Sequence, residues 1–183
     1  MLELASVLAS ASARLERDVL LLFVDAEEVD SIGSYQFYFG HESVDIQPHP
    51  CRLLHSVVIK LEGGGSATSK EVLIRSNSLF ATKMYHHKYA PSPSSFSLIE
   101  LLYRLNDIGH TDGDVYWMAG LHLIDLIWVE SRWAYHNPDD NVDTVNMGSL
   151  QHEGNNILSI VRGVSNDFNF PDRIPPEELV EKQ

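Results

Sequence analysis

Residues 114–135 read DVYWMAGLHLIDLIWVESRWAY, a long stretch in which polar residues are rare. Fifteen of its 22 residues are apolar, and they include all three tryptophans of the protein. A helix that is apolar on every side is either buried at the centre of a fold or spans a membrane. His122 and Asp125 interrupt the run before it reaches about 18 uncharged residues, which excludes the membrane span. The stretch therefore predicts one long, buried, central helix.

The same stretch carries a narrow stripe of ionisable residues. Steps of three, seven and four residues separate His122, Asp125, Arg132 and His136. Because these steps fit 3.6 residues per turn, the four side chains should lie near one side of the predicted helix. The stripe is the strongest indication of a functional site in the sequence.

The chain has 183 residues, 44% of them apolar, which is enough to form the core of one domain spanning residues 1–183. Its single cysteine, Cys51, cannot form an internal disulfide, and no basic segment precedes the first apolar residues as a secretory signal requires. These features predict a cytoplasmic protein. Residues 1–24 are predicted to begin with a helix, and residues 19–24 fit a helix or a short strand equally well.

The middle and end of the chain differ in periodicity. Residues 35–89 contain several alternating segments, including a hairpin from 51–61 to 71–76 across a glycine-rich loop. Residues 96–165 have helical spacing, and the tail 170–183 is rich in proline and acidic residues. The predicted fold is α+β: an antiparallel sheet of about four strands covered on one face by helices, with helix 114–135 at their centre.

Thirteen basic and 26 acidic residues give the chain a net charge of −13. A charge of this sign disfavours nucleic acid and anionic membranes as partners, because both bind proteins through Lys and Arg. It favours a basic protein partner, since an acidic surface attracts opposite charge from a distance. The predicted contact residues are the exposed acids Glu27, Glu28, Asp139, Asp140 and Asp143.

Three residues in the sequence are candidate ligands of a metal ion. Imidazole and carboxylate groups together suit zinc, manganese or iron, and the candidate ligands are His110, His122 and Asp125. The chain lacks the His-Glu-x-x-His spacing of helical zinc sites, and a hydrogen bond between His122 and Asp125 would satisfy both without a metal. His55, on the apolar face of the best predicted strand, could join these two residues as a catalytic candidate.

No catalytic template matches the chain as a whole, so the sequence predicts a non-enzymatic, acidic interaction module with no cofactor. A small inhibitor, an immunity-type protein and a subunit of a larger assembly all fit this description. The alternative is a metal-dependent hydrolase with a His/Asp site on the long helix and a divalent metal as its cofactor. Composition and spacing do not predict the oligomeric state.

Overall fold

The computed structural model describes residues 1–12, 14–42, 45–53, 56–63, 70–95, 111–128 and 133–167, and the single residues 169, 171 and 174. Three strands and five α-helices are present in these ranges. In chain order they are α1 (Leu2–Ser10), α2 (Ile32–Phe39), β1 (Val57–Glu62), β2 (Val72–Ser76), α3 (Leu79–Lys83), α4 (Asp112–Met118), β3 (His122–Ile127) and α5 (Met147–Ser165). Short 3₁₀ turns span Pro50–Leu53 and Val142–Thr144, and a π-helical turn, Met84–Tyr89, continues α3.

Strand β3 lies at the centre of the three-stranded sheet, whose order is β1-β3-β2. It runs parallel to β1, with His122 opposite Val57, and antiparallel to β2, with Ile127 opposite Val72. The sheet is therefore mixed, and the strand that joins its two edges comes last in the sequence. The α+β class is confirmed, whereas the predicted antiparallel sheet of four strands is not.

The predicted central helix 114–135 is wrong. The chain forms the short helix α4, turns at Gly120 with φ of 69°, and continues as β3. All six residues of β3 are buried, so both of its faces are covered. A strand buried on both faces has a continuous apolar sequence without alternation, and periodicity cannot distinguish it from a buried helix. Hydrogen bonding to both β1 and β2 makes this segment a strand and not a helix.

The predicted hairpin is right in part: strands form at 57–62 and 72–76, Pro50–Leu53 is a 3₁₀ turn, and the two strands do not pair with each other. Its two segments become β1 and β2, but β3 inserts between them and bonds to both. Within the predicted strand region 35–89, residues 35–39 lie in helix α2, and residues 79–89, whose pattern fits a strand or a helix, form α3 with its π-helical turn. The first helix ends at Ser10, and residues 19–24 belong to neither a helix nor a strand. Residues 96–110 of the predicted helical region lie outside the described residues.

Helices cover both faces of the sheet. One face packs on α3, its π-helical turn and α5, with a core formed by Leu73, Ala81, Met84, Tyr85, Ile124, Leu126, Ile157, Ile160 and Val161. The opposite face packs on α2 and α4 through Tyr38, Val115, Tyr116, Leu121 and Leu123. Alternation along β3 sends Ile124 and Leu126 to the first core and Leu123 to the second. Among the described residues no helix is both long and apolar enough to cross a membrane.

A buried carboxylate attaches α5 to the start of β2. Glu71 is fully buried, and its carboxylate accepts hydrogen bonds from Tyr85 and Asn156 and pairs with His152. Burial, followed by repulsion from Glu71, raises the pKa of the neighbouring Glu153 to about 7 from its ordinary value of 4.5. Between pH 4.5 and about pH 7 the folded state therefore binds more protons than the unfolded chain. The contribution of Glu153 to stability is therefore fully present below pH 4.5 and is lost as the pH rises through 7.

We expect Glu153→Gln to raise the free energy of unfolding at pH 8 by about 2–3 kcal/mol and to change it little at pH 4.5, because only the charged form is penalised by burial. Urea denaturation at both pH values measures the difference. The exposed Glu42→Gln is the matched control and should have the same small effect at both. An equal effect of Glu153→Gln at both pH values would contradict the raised pKa of Glu153.

Candidate active site

Three charged residues form a row across the sheet. Lys60 on β1 and Arg75 on β2 both lie opposite Asp125 on β3 in the strand register. Residues opposite each other in neighbouring strands share a face, so the side chains meet on the side covered by α2 and α4. All three side chains are buried, and Asp125 is fully so. Asp125 is thus placed between two cations inside the protein.

The guanidinium group of Arg75 connects the sheet to helix α4. It donates two hydrogen bonds to Asp125 Oδ2, at 2.8 and 3.2 Å, one to Asp114 Oδ1 at 2.7 Å and one to Thr111 Oγ1 at 2.8 Å. Thr111 and Asp114 also form the capping box of α4. A Cβ atom at Gly113 would overlap the guanidinium, so this glycine allows its close approach.

Lys60 connects the row to Glu62 at the end of β1. Its Nζ atom lies 2.7 Å from Glu62 Oε2 and 3.6 Å from Asp125 Oδ1. Burial by itself would lower the pKa of Lys60, but attraction by Asp125 and then Glu62 outweighs it and keeps the pKa above its ordinary value. Lys60 therefore stays charged and holds the Glu62 carboxylate at the sheet edge.

A pair formed by a histidine and a carboxylate lies nearby at the surface. The Nε2 atom of His136 contacts Glu28 Oε1, and the Tyr135 hydroxyl donates to the same oxygen at 3.5 Å. The ring of Tyr135 stacks on that of His136, with 3.8 Å between the centroids and 22° between the planes. Both members of the pair are more than half exposed. An imidazole and a carboxylate thus meet where a solvent molecule or a substrate can reach them.

The segments that carry this pair have an unusual backbone. Non-glycine residues rarely adopt positive φ, and those that do are concentrated at functional sites. Of five such residues in the described part of the chain, three lie in the Glu27–Glu28 segment and one is a member of the pair: Ala26, Asp30, Ser31 and His136. The local conformation is therefore held in place by the surrounding structure.

Glu27 belongs to the same acidic group. Burial, followed by repulsion from Glu62, raises its pKa from 4.5 to about 7, and attraction by Lys60 opposes the shift. Asp112 and Glu28 add smaller repulsions. Asp112 is itself held by the hydroxyl of Ser34, which donates to it at 2.5 Å and thereby joins α2 to α4. A carboxylate that gains and loses its proton near pH 7 is suited to acid–base chemistry.

Of the residues that the sequence predicts as metal ligands or catalytic groups, the structure describes His122 and Asp125. His122 is fully buried, with its Nδ1 atom 2.9 Å from the Ser78 hydroxyl, and it is not bonded to Asp125 in the way that was expected. Asp125 is in the charged row. His55 and His110 lie outside the described residues. Within the described ranges no three His, Cys, Asp or Glu side chains lie close enough together to bind one ion.

The five acids predicted to contact a partner separate into two groups. Asp139, Asp140 and Asp143 are exposed in the turn that follows His136, and Glu27 and Glu28 belong to the acidic group just described. The sequence predicts Glu27 and Glu28 to be surface charge, and it predicts His136 to lie in the turn after the helix 114–135, where the structure also has a turn. One signal could have located the group, because residues 25–28 directly follow the apolar run 19–24 and lie in a connecting segment, where functional side chains are common.

The comparisons with known proteins give the family of the chain. The model of peptidase family M28 matches residues 1–161, and the chain belongs to that family. It is similar to the vacuolar membrane protease of Lodderomyces elongisporus, with 27% identity over 172 residues, 93% of this chain and 17% of that protein. It is also similar to human endoplasmic reticulum metallopeptidase 1, with 27% identity over 181 residues, 88% of this chain and 17% of that protein. No solved structure matches.

These findings correct several predictions. The non-enzymatic interaction module is wrong, because the chain belongs to a peptidase family. The divalent metal, which the sequence analysis gives only to the alternative function, is favoured over the absence of a cofactor, since the human relative is named a metallopeptidase. The cytoplasmic location is wrong, because the relatives are named for the endoplasmic reticulum and the vacuolar membrane. The chain spans less than a fifth of the length of these relatives. A basic protein partner stays a prediction.

We expect Arg75→Met to lower the free energy of unfolding by about 3–5 kcal/mol, because it leaves the buried Asp125 and Asp114 without their shared cation. Arg75→Lys should recover part of the loss, since an ammonium group keeps the charge but cannot bond all three partners. Urea denaturation measures both. Arg162→Met, on the exposed side of α5, is the matched control and should have little effect. A loss for Arg75→Met no larger than that of the control would contradict the role of Arg75.

Proposed function

We propose that this chain is the part of a metal-dependent peptidase that carries the general base and two ligands of the metal. The observation that supports this most directly is the contact between Glu28 and His136, two residues that are 108 positions apart in the sequence. Membership of peptidase family M28 gives the class of reaction, hydrolysis of a peptide bond. The activity of the longer relatives is extended to this chain only as part of the proposal.

The donor atoms of the pair fit a zinc ion, which binds imidazole nitrogen and carboxylate oxygen. A catalytic zinc ion takes three protein ligands and keeps one position for water, so Glu28 and His136 supply two and at least one more is needed. The stacked Tyr135 ring fixes the plane of the imidazole, and the Tyr135 hydroxyl orients the carboxylate. When bound, the metal would supply a Lewis acid that polarises the peptide carbonyl.

Glu27 is the proposed general base. It follows Ala26, whose positive φ sets the direction of the backbone just before the two acids. Its carboxylate would take a proton from the attacking water and return that proton to the nitrogen of the leaving amine. Its place directly before Glu28, and its electrostatic contact with Lys60 and Glu62, put this carboxylate beside the proposed metal ligands.

The cellular location is also a proposal. The relatives are named for the endoplasmic reticulum and the vacuolar membrane, and we infer that this protein acts in the same membrane system. Fluorescence microscopy of the tagged full-length protein tests the inference. Signal spread evenly through the cytoplasm would contradict it.

We expect the protein to bind Zn²⁺ and expect His136→Ala and Glu28→Gln each to weaken that binding at least tenfold, because each removes one donor. Equilibrium dialysis against Zn²⁺ followed by metal analysis gives the affinities. His87→Ala removes an exposed imidazole on the π-helical turn and is the matched control. If this control weakened binding as much as His136→Ala, the assignment of the metal ligands would be wrong.

We expect Glu27→Gln to lower the rate of peptide hydrolysis by about 10²–10⁴ and to leave Zn²⁺ affinity within a few-fold of the original, since the amide cannot accept the proton. A fluorogenic peptide assay on the full-length protein, paired with dialysis, separates the two effects. Asp140→Asn, in the exposed turn after His136, controls for the loss of one negative charge near the site. Unchanged hydrolysis by Glu27→Gln would exclude this residue as the base.

A further inference from the structure

Both ring nitrogens of His152, on α5, face hydrogen-bond acceptors. Nε2 lies 2.9 Å from the carbonyl oxygen of Ser92, and Nδ1 contacts Oε2 of the fully buried Glu71. Nδ1 and Oε2 are both buried, and neither has a further hydrogen-bond partner among the described residues. A carbonyl oxygen only accepts hydrogen bonds, so Nε2 must carry a proton and donate it to Ser92. The other nitrogen, Nδ1, is then left facing a carboxylate.

The contact between Nδ1 and Glu71 is stable only when it holds one extra proton. A neutral imidazole that donates from Nε2 has a lone pair on Nδ1, and this lone pair would repel a charged carboxylate. A proton between Nδ1 and Oε2 removes the repulsion, whichever of the two atoms it is bonded to. Loss of that proton would leave two buried acceptors facing each other, and buried polar groups without a partner are strongly destabilising.

The Glu71–His152 pair is part of a cluster that fixes the segment containing Ser92. Asn156, also on α5, accepts a hydrogen bond from the Ser92 N–H group and donates one to the Ser92 carbonyl, both at 3.0 Å. Asn156 donates to the other oxygen of Glu71 as well. Two residues further on, the carbonyl of Ser94 accepts from the N–H group of Leu73 on β2 at 2.9 Å. The segment therefore lies between α5 and β2 and is bonded to both.

Other ionisable groups face the Glu71–His152 pair from the elements packed around it. Glu153 is next to His152 on α5, and burial, followed by repulsion from Glu71, raises its pKa to about 7. The amino group of Met1, at the start of α1, lowers the pKa of Glu153. From the π-helical turn, the Tyr85 hydroxyl donates to Glu71 at 3.3 Å, and burial raises the pKa of this tyrosine well above its ordinary value. Tyr85 thus stays neutral, whereas Glu153 titrates beside the pair and has to be separated from it by experiment.

We propose that the Glu71–His152 pair is a proton-dependent clamp, which holds Ser92 at acidic pH and releases it as the pH rises. The closed clamp holds one proton more than the open one, so its contribution to stability is present at acidic pH and is lost at higher pH. Imidazole ordinarily gains and loses its proton between about pH 5 and pH 8. The clamp lies at the same end of the sheet as the candidate active site, because Glu71 directly precedes β2, whose first residue lies opposite Ile127, as does Glu62 of β1. It does not depend on the proposed metal ligands.

The test is amide hydrogen exchange measured by NMR and corrected for the intrinsic effect of pH on exchange. The N–H groups of Ser92 and Ser94 are both hydrogen-bonded in the closed clamp, to Asn156 and Tyr85. We expect their protection factors to fall at least about tenfold from pH 5 to pH 8, since one linked proton shifts an equilibrium by up to tenfold per pH unit. Protection of the β3 amides should stay unchanged. Equal protection of Ser92 at both pH values would overturn the proposal.

Glu71→Gln is the decisive variant, because its amide group can donate to Nδ1 of a neutral imidazole and needs no extra proton. Protection of Ser92 in this variant should change by less than about threefold between the two pH values, and His152→Arg, which stays charged, should behave in the same way. Glu153→Gln removes the neighbouring titrating carboxyl group and should keep the full pH dependence. His87→Gln, at an exposed imidazole, is the matched control and should keep it too. Full pH dependence in Glu71→Gln would show that the pair is not the clamp.

The His152 ring can also be followed in the unaltered protein, which keeps the proposal testable should a variant fail to fold. The ¹⁵N chemical shifts of the ring report the proton at each nitrogen separately. We expect the Nδ1 signal to change over the same pH range in which Ser92 loses its protection, while Nε2 keeps its proton. Loss of Ser92 protection without a change at Nδ1 would contradict the clamp.

Discussion

The fold depends on one buried carboxylate, Asp125, and on the two cations that neutralise it. A lone charge at the centre of a sheet would be strongly destabilising, and Lys60 and Arg75 offset this cost from the two neighbouring strands. Because the cations come from β1 and β2, their attraction favours the strand order in which β3 lies between them. Arg75 extends the same network to the first turn of α4. One electrostatic constraint thus joins all three strands and a helix.

The candidate active site lies where this network reaches the sheet edge. Lys60 holds Glu62, the charge of Glu62 raises the pKa of Glu27, and Glu28 next to it pairs with His136. The buried row is rigid because every member has partners from several elements, while the acids beyond it are more exposed. The exposed acids of the candidate site are thus attached to a buried part of the sheet that fixes their positions. The residues of the candidate site come from segments that are far apart in the chain.

Residues 114–135 show most clearly which structural features cannot be predicted from the sequence alone. The stretch was correctly recognised as central, yet its structure changes from helix α4 to strand β3 at Gly120. A run that is apolar on all sides has no period, so local reasoning could not identify the strand. Its interruption by Asp125 was correctly noted as unusual. The partners of Asp125 could not be predicted, because Lys60 and Arg75 approach it only after the strands have paired.

The sequence by itself determined the α+β class, the segments that contain β1 and β2, and the helical spacing of the segment that contains α5, because each depends on local period or composition. Tertiary structure decided the strand order, the row of charges and the contact between Glu28 and His136. These arise between residues separated by tens of positions, and no local pattern records which of many charged residues will meet. The net charge of −13 describes the chain as a whole, and only the fold brings the Glu28 carboxylate to His136.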